Sequence, residues 1–462
     1  MGKSGLLHMR RLSAVIVVIL IATFFLGGYI ARESYDAHAL ARNPRLPSSG
    51  LTAYASESTR SDVGPRSDID ISPMETFYTV LRLLKEHFVE PIEDSQRRDL
   101  TYGALRNMLD SLKDPNTKFL EPDQKDLVDL ARRGEFRGIG AVLGVRKIKN
   151  EDGTFEKLVV VSSLPGSSAE KADLRSDDVI TEIDGKSVLP YDPFQRANRL
   201  IKLAKNGELE KDKLSKTLQA EEAKINDGIG FQKAAEKLAA PFKDSVELTI
   251  ERSGQTVKVK VPSGNVTVDP IEYSIKNNVG YIDVNLFTAA VKDQFTEALA
   301  DIEKKGAAGL VIDLRNDPGG SIDMARQVAR LLAPEKAFAI AARSSGKREV
   351  IKIPAARSDV GAVTWTKPVV VLVDRGTASA SELLAGALRD DINAKLIGTR
   401  TFGQAFEVTM LPQRDGSAVE MTTGKFLTPK GTDFNIKGLK VDFEVEGREA
   451  QLDKAIALAG AG

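Results

Sequence analysis

Two strand-to-helix junctions in this chain of 462 residues carry residue types that could do chemistry. The later one reads Val373-Asp374-Arg375-Gly376-Thr377-Ala378-Ser379-Ala380-Ser381-Glu382, small residues between an apolar run and a helical one. A bend of that kind can present one hydroxyl in the open, as a nucleophile elbow does. Serine and threonine are also ordinary helix caps, and Ser381 reads as the cap here, which leaves Ser379 as the nucleophile. The earlier junction is Asp313-Leu314-Arg315-Asn316-Asp317-Pro318-Gly319-Gly320. Glycine lets backbone N–H groups come close to a bound group, and a helix start offers unpaired donors. Gly319 and Gly320 are therefore candidate oxyanion donors, although a plain turn would need the same residues.

Composition narrows the chemistry further. Cysteine is absent, which removes thiolate nucleophiles, disulfides and zinc-thiolate sites together. The three histidines, His8, His38 and His87, all precede both junctions, so a Ser-His-Asp triad or a multi-histidine metal site is hard to assemble. Asp313, Asp317 and Asp323 are explained by helix-start electrostatics more simply than by a metal, and neither metal nor cofactor is expected. Lys plus Arg equals Asp plus Glu at 65 each, so no global field favours nucleic acid. Gly2-Lys3-Ser4 lacks the upstream glycine and strand of a phosphate loop. The single tryptophan, Trp365, precedes an apolar strand and reads as packing.

The elements that must hold the two junctions alternate strand and helix from Val279 onward: VGYIDVNLF, GLVIDLR, PVVVLVD and AKLIGT, with helices between them. That order predicts a mostly parallel sheet with crossover helices, whose sites gather where strands end and helices begin. Ahead of this core, residues 136–265 carry five short strands around one short helix, a small barrel-like β domain. A charged, helical interruption over about 191–242 breaks it, with Asn226-Asp227-Gly228 as a turn between helices. Residues 71–135 repeat apolar positions at helical spacing, including Phe77, Leu81, Leu84, Leu105 and Leu109, and predict an N-terminal helical subdomain.

Leu12 to Ile30 is nineteen residues without a charge, preceded by Lys3, Arg10 and Arg11. This predicts a cytoplasmic N-terminus over 1–11, one membrane-spanning helix over 12–31 and a polar tether over 32–70. The rest of the chain is then extracytoplasmic at the cell membrane. A cleavable signal peptide, with Ala37-His38-Ala39 as its processing site, is the other reading and exports the same body.

In order and spacing, FRGIG, PGSSAEKADLRSDDVITEIDG, GYIDVNLF, DLRNDPGG, TASASELLAGALRD, LIGTRTFG, DGSAVEMTTGKFLTP and LKVDFEVE resemble the carboxyl-terminal processing, or tail-specific, serine peptidases. The resemblance implies an α/β peptidase core of the crotonase-like, ClpP-like kind over 266–462 and a PDZ-like domain over 136–265. Its partners would be polypeptide C-terminal tails, and a homo-oligomer is compatible with it. In such domains a Gly-apolar-Gly loop directs backbone donors at the terminal carboxylate while the tail adds as a strand. Arg137, Gly138, Ile139 and Gly140 stand in that place, with the helix from Ser167 to Ala172 expected to line the groove. Asp173 replaces a common glycine, and aspartate tolerates the left-handed turn required there.

For catalysis the resemblance implies a serine, here Ser379, paired with a neutral lysine in a Phe-Gly-Lys-Gly loop and supported by a glutamine four positions later. This chain reads Phe402-Gly403-Gln404-Ala405, with Val408 at the supporting position. A carboxamide cannot accept a proton at neutral pH, so Gln404 could orient Ser379 but not activate it. Lys425 or Lys430 could substitute as base, and Glu382 or Glu407 only with a raised pKa. Three outcomes stay open on sequence: an active serine endopeptidase, a pseudopeptidase that binds tails, and an assembly factor working through residues 191–242.

Overall fold

The computed structural model describes residues 72–150, 153–190, 192–242, 244–355 and 364–461. The expected membrane span and tether lie outside the described residues; among those described, no helix is long and apolar enough to cross a membrane. The chain divides into two units, residues 1–87 and 88–462. In the first, the described residues form helix α1 (Ser72–His87), which exposes Tyr78 and Val80.

The expected helical subdomain over 71–135 is therefore split, because its later helices belong to the second unit. These are α2 (Asp94–Asp110) and α3 (Pro122–Arg132), with strand β1 (Lys118–Leu120) between them. Pro122 opens α3, and a capping box of Glu121 and Gln124 satisfies its first donors. The cause of the split is long-range pairing. Strand β1 lies antiparallel to residues 418–420, and Tyr102 on α2 donates its hydroxyl to Asp415 at 2.9 Å.

The β domain follows as β2 (Glu135–Gly138), β3 (Ala141–Asn150), β4 (Gly153–Ser163), the short helix α4 (Ser168–Lys171), β5 (Val179–Ile183) and β6 (Lys186–Leu189). After α5 (Gln195–Lys205) and α6 (Lys211–Asp227) come β7 (Ile229–Gly230), α7 (Phe231–Ala239), β8 (Ser245–Arg252) and β9 (Gln255–Pro262). The sheet runs β3-β4-β5-β6-β7, with β8 on β5 and β9 on β8, so β3 is an edge. Asp173 is left-handed at φ +57°, as its turn requires.

The interruption expected over 191–242 divides at the Asp227-Gly228 break. Among the described residues, the α5–α6 hairpin adds no side chain to the buried core of the domain, although α6 packs on β6. Helix α7 buries Phe231, Ala234 and Leu238, spaced i, i+3 and i+7, in the same core as Ile139, Val160, Ile180 and Leu248.

The core domain begins with β10 (Gly264–Thr267), which pairs with β2. It continues through β11 (Ile271–Lys276), β12 (Val279–Val284), α8 (Val291–Lys304), β13 (Gly309–Asp313), α9 (Ile322–Leu332), β14 (Ala337–Ala342), β15 (Arg348–Lys352) and β16 (Val369–Val373). Helix α10 (Ala380–Ile392), β17 (Lys395–Gly398), β18 (Phe406–Pro412), β19 (Ala418–Leu427), β20 (Phe443–Glu444) and α11 (Arg448–Ala459) complete it.

The main sheet has the order β11-β12-β13-β16-β17-β20 and is parallel except at β11, as the alternation of elements predicts. Helices cover both faces, so its central strands are apolar on both sides. Leu310, Ile312, Val371 and Val373 meet α8, α9 and α10, while Val311, Val370 and Leu372 meet Ala455 and Ala459 of α11. Trp365 packs into the first of these layers, 3% exposed. A second sheet, β1-β19-β14-β15 with β18 on β19, is not foreshadowed by the local sequence.

Candidate active site and peptide groove

Strand β16 ends at Val373, and the chain is turned by hydrogen bonds to the neighbouring junction. Asp374 Oδ1 accepts from Asn316 N–H at 2.8 Å and from Gly376 N–H at 2.9 Å. Thr377 donates its hydroxyl to Leu314 O at 2.7 Å, and Ala378 N–H donates to Asp317 O at 3.0 Å. Held this way, Ser379 takes φ +53° and ψ −115°, a conformation that costs a non-glycine residue roughly 1–3 kcal/mol. This is the elbow expected at Ser379, with one correction: Ser379 is itself the N-cap of α10, while Ser381 is fully buried one position inside the helix.

The other junction lies beneath the elbow. Gly319 and Gly320 have φ +103° and +116°, and a Cβ on Gly319 would stand 2.9 Å from Ser379 Cβ. Only glycine permits that approach. Gly319 N–H is already taken, by Asp317 Oδ1 at 2.9 Å. Gly320 N–H and the Ala380 N–H at the first turn of α10 have no partner among the described residues. The pair available to a developing oxyanion is therefore Gly320 with Ala380, rather than Gly319 with Gly320. Burial drives the Asp317 carboxyl well above its ordinary range, against the pull of Gly319 N–H and the Ser381 hydroxyl.

Glu382, which the sequence offers only as a base needing a raised pKa, is the hub of the site. The buried carboxylate of Glu382 accepts from Ser379 N–H at 3.1 Å, Gly403 N–H at 2.8 Å, Gln404 N–H at 2.8 Å and the Thr401 hydroxyl. One side chain thus ties the elbow to the loop that carries Gln404. Burial pushes this carboxyl up to about 7, and the four donors oppose the shift. The sequence signal was a glutamate three residues after the cap, which also fits an ordinary capping box; its partners at 401–404 could not be read locally.

The Ser379 hydroxyl accepts from the Glu382 backbone N–H in a capping box, no side chain hydrogen-bonds to it among the described residues, and the Gln404 side-chain amide is unpaired there. Of the substitute bases, Glu382 meets the condition of a raised pKa but spends both oxygens on the four donors above, and two others are engaged elsewhere. Lys425 Nζ binds Asp433 at 2.7 Å, and Glu407 pairs with Arg343. Lys430 makes only a backbone contact, to Asp390 at 3.0 Å.

A cleft of about 660 Å³ collects Ser379, Gly320, Gln404 and Val408 on the core side. On the β-domain side it is walled by Leu143, Val145 and Arg146 of β3 and by Phe231, Ala235 and Glu236 of α7. The groove helix is thus α7, from the interruption, and not the helix from Ser167 to Ala172. Arg146 stacks on the Phe402 ring, its guanidinium carbon 4.3 Å from the ring centre, and pairs with Asp177. Asn316 joins the domains from the oxyanion loop: its Nδ2 donates to Ser163 O at 2.7 Å and its O accepts from the Ser162 hydroxyl at 2.6 Å.

The Gly-Ile-Gly loop does not line this cleft. Gly138, Ile139 and Gly140 are buried beyond the α7 end, with Arg137 exposed beside them. Ile139 N–H is occupied by Leu238 O at 2.9 Å, whereas Gly140 N–H has no partner among the described residues.

Comparison with known proteins agrees with this geometry. The profile of peptidase family S41 matches residues 278–445, and a PDZ domain profile matches residues 159–209. A carboxyl-terminal-processing protease of Picosynechococcus is 30% identical over 78% of this chain and 76% of its own. A chloroplastic C-terminal processing peptidase of Tetradesmus obliquus is 29% identical over 79% of this chain and 71% of its own. Among solved structures, a photosystem II D1 C-terminal processing protease is similar with a TM-score of 0.60 at 26% identity, covering 83% of this chain and 91% of that one. The elbow, the glycine junction and the PDZ domain thus occur together in a chain that belongs to peptidase family S41, the serine carboxyl-terminal processing proteases.

Proposed function

We propose that this chain is held in the cell membrane by one N-terminal helix over 12–31, with its body on the extracytoplasmic side. There it takes the C-terminal tails of polypeptides into the groove beside β3 and holds them without cutting them. The observation that carries this reading is the shared cleft. The free edge of β3, the face of α7 and Ser379 line one continuous space, as a tail added to the sheet edge would require. Beside Ser379 stands Gln404, at the position where the family resemblance implies lysine. An amide cannot take the serine proton, and a missing general base costs about 10²–10⁴ in rate.

A second reading is slow cleavage by Ser379. It is favoured by the strained elbow and by the unpaired N–H groups of Gly320 and Ala380, since oxyanion donors alone retain part of the catalysis. The full-length chain, incubated with an unstructured polypeptide ending in apolar residues, separates the two. Binding without truncation, equal in wild type and Ser379→Ala, is the expected result. Truncation seen by mass spectrometry in wild type and abolished in Ser379→Ala would overturn it.

A further inference from the structure

The groove contains a carboxylate oxygen that the chain itself leaves unanswered. Glu236 lies on the face of α7 that lines the cleft, and its Oε1 is buried with no hydrogen-bond partner among the described residues. Burial raises this carboxyl above its ordinary range, with Gln232 and the charge of Arg106 pulling the other way. Arg106 is itself held by Glu121 at 2.9 Å. Of the three lysines lining the cleft, Lys118 pairs with Glu420 at 3.2 Å and Lys147 with Glu156 at 4.0 Å, while Lys113 is exposed and makes no ion pair with Glu236 among the described residues. A buried acceptor without a donor is a standing cost that a donor-bearing ligand removes.

The surroundings suit a particular donor. Leu143, Val145 and Phe231 line the same cleft and give it an apolar wall along which a long aliphatic stem can lie while its charged head reaches a carboxylate. Ala239 closes α7, and Glu236 stands three residues before it, about 4.5 Å along the helix axis. A strand rises about 3.3 Å per residue and turns alternate side chains to one face. A tail paired with β3 therefore brings one side chain opposite Glu236 and turns its immediate neighbours away.

We propose that Glu236 is a specificity subsite of the PDZ groove for one lysine or arginine side chain near the end of the bound polypeptide. The inference rests on the tail-binding reading above and adds the chemistry of the tail.

The test uses the full-length chain and fluorescent ten-residue tails of otherwise apolar sequence, with a single lysine moved through the last six positions. Anisotropy is expected to show about tenfold tighter binding for lysine than for leucine at one position, as a charge-assisted hydrogen bond in a half-buried site gives. Glu236→Gln, close to isosteric, should reduce that preference to about twofold or less, and Glu236→Lys should favour glutamate at the same position. Tails that bind wild type with no preference along the scan overturn the inference and leave tail binding standing. So does a lysine preference that survives in Glu236→Gln. Absence of binding by every tail overturns the tail-binding reading and this inference with it.

Discussion

Replacing Glu382 by glutamine tests how the site is held together. With the retained oxygen toward Thr401 and Gly403, the new amide N–H₂ confronts the N–H groups of Ser379 and Gln404. Two stranded buried donors cost about 1–3 kcal/mol each, so the variant should lose about 2–6 kcal/mol. Trp365, the only tryptophan and 3% exposed in the core domain, reports unfolding there. At a urea dependence of about 3 kcal/mol per molar, its transition should fall by roughly 1–2 M. The pH dependence carries a sign. Burial raises Glu382 from 4.5 to about 7, so its contribution to stability is full below about 4.5 and is lost as pH rises through about 7. Glutamine has no such dependence. The gap between wild type and variant should therefore be wider at pH 5 than at pH 8, by up to about 3 kcal/mol. A variant within about 0.5 kcal/mol of wild type at both pH values, or a gap that widens upward, would refute the role given to this carboxylate.

Three other perturbations have defined outcomes. Gly319→Ala places a Cβ 2.8 Å from Ala378 O on a backbone at φ +103°; the melting temperature should drop by about 4 °C or more. Asn316→Ala removes the donor to Ser163 O and puts alanine at φ +62°, so amide exchange in residues 160–164 should speed up while β8 and β9 stay protected. Asp283 is raised from 3.8 to about 7 by burial and by the nearby Asp313. Its contribution is present below about 3.8 and lost as pH rises through about 7, so Asp283→Asn should flatten the fall in stability between pH 5 and pH 8 followed through Trp365.

The parts of the fold that were legible are those whose pattern is local. Strands β13 and β16 are buried at every residue and read as apolar runs, broken only by Asp313 at the end of β13, and both junctions follow from the small residues after them. What stayed hidden depends on partners far along the chain. Strand β1 pairs with a strand some 300 residues later, so nothing near Lys118 announces the second sheet. Helix α7 reads as part of the charged interruption, although Phe231, Ala234 and Leu238 mark a buried face. Glu382 reads in the sequence only as a conditional base, because three of its four donors come from the loop at 401–404. Gly319 and Gly320 looked equivalent, and only the bond from Gly319 N–H to Asp317 separates them.

The most direct test of the account is to restore a base. In Gln404→Lys with Val408→Gln, the lysine enters a loop already fastened to the Ser379 elbow through Glu382, and Val408 lies on the same cleft. Mass spectrometry of an unstructured polypeptide should show it intact with wild type and shortened from its C-terminal side by the double variant, with cleavage lost again when Ser379→Ala is added. Wild-type cleavage that depends on Ser379, at a rate the double variant does not raise, would contradict the claim that Gln404 is what silences the site.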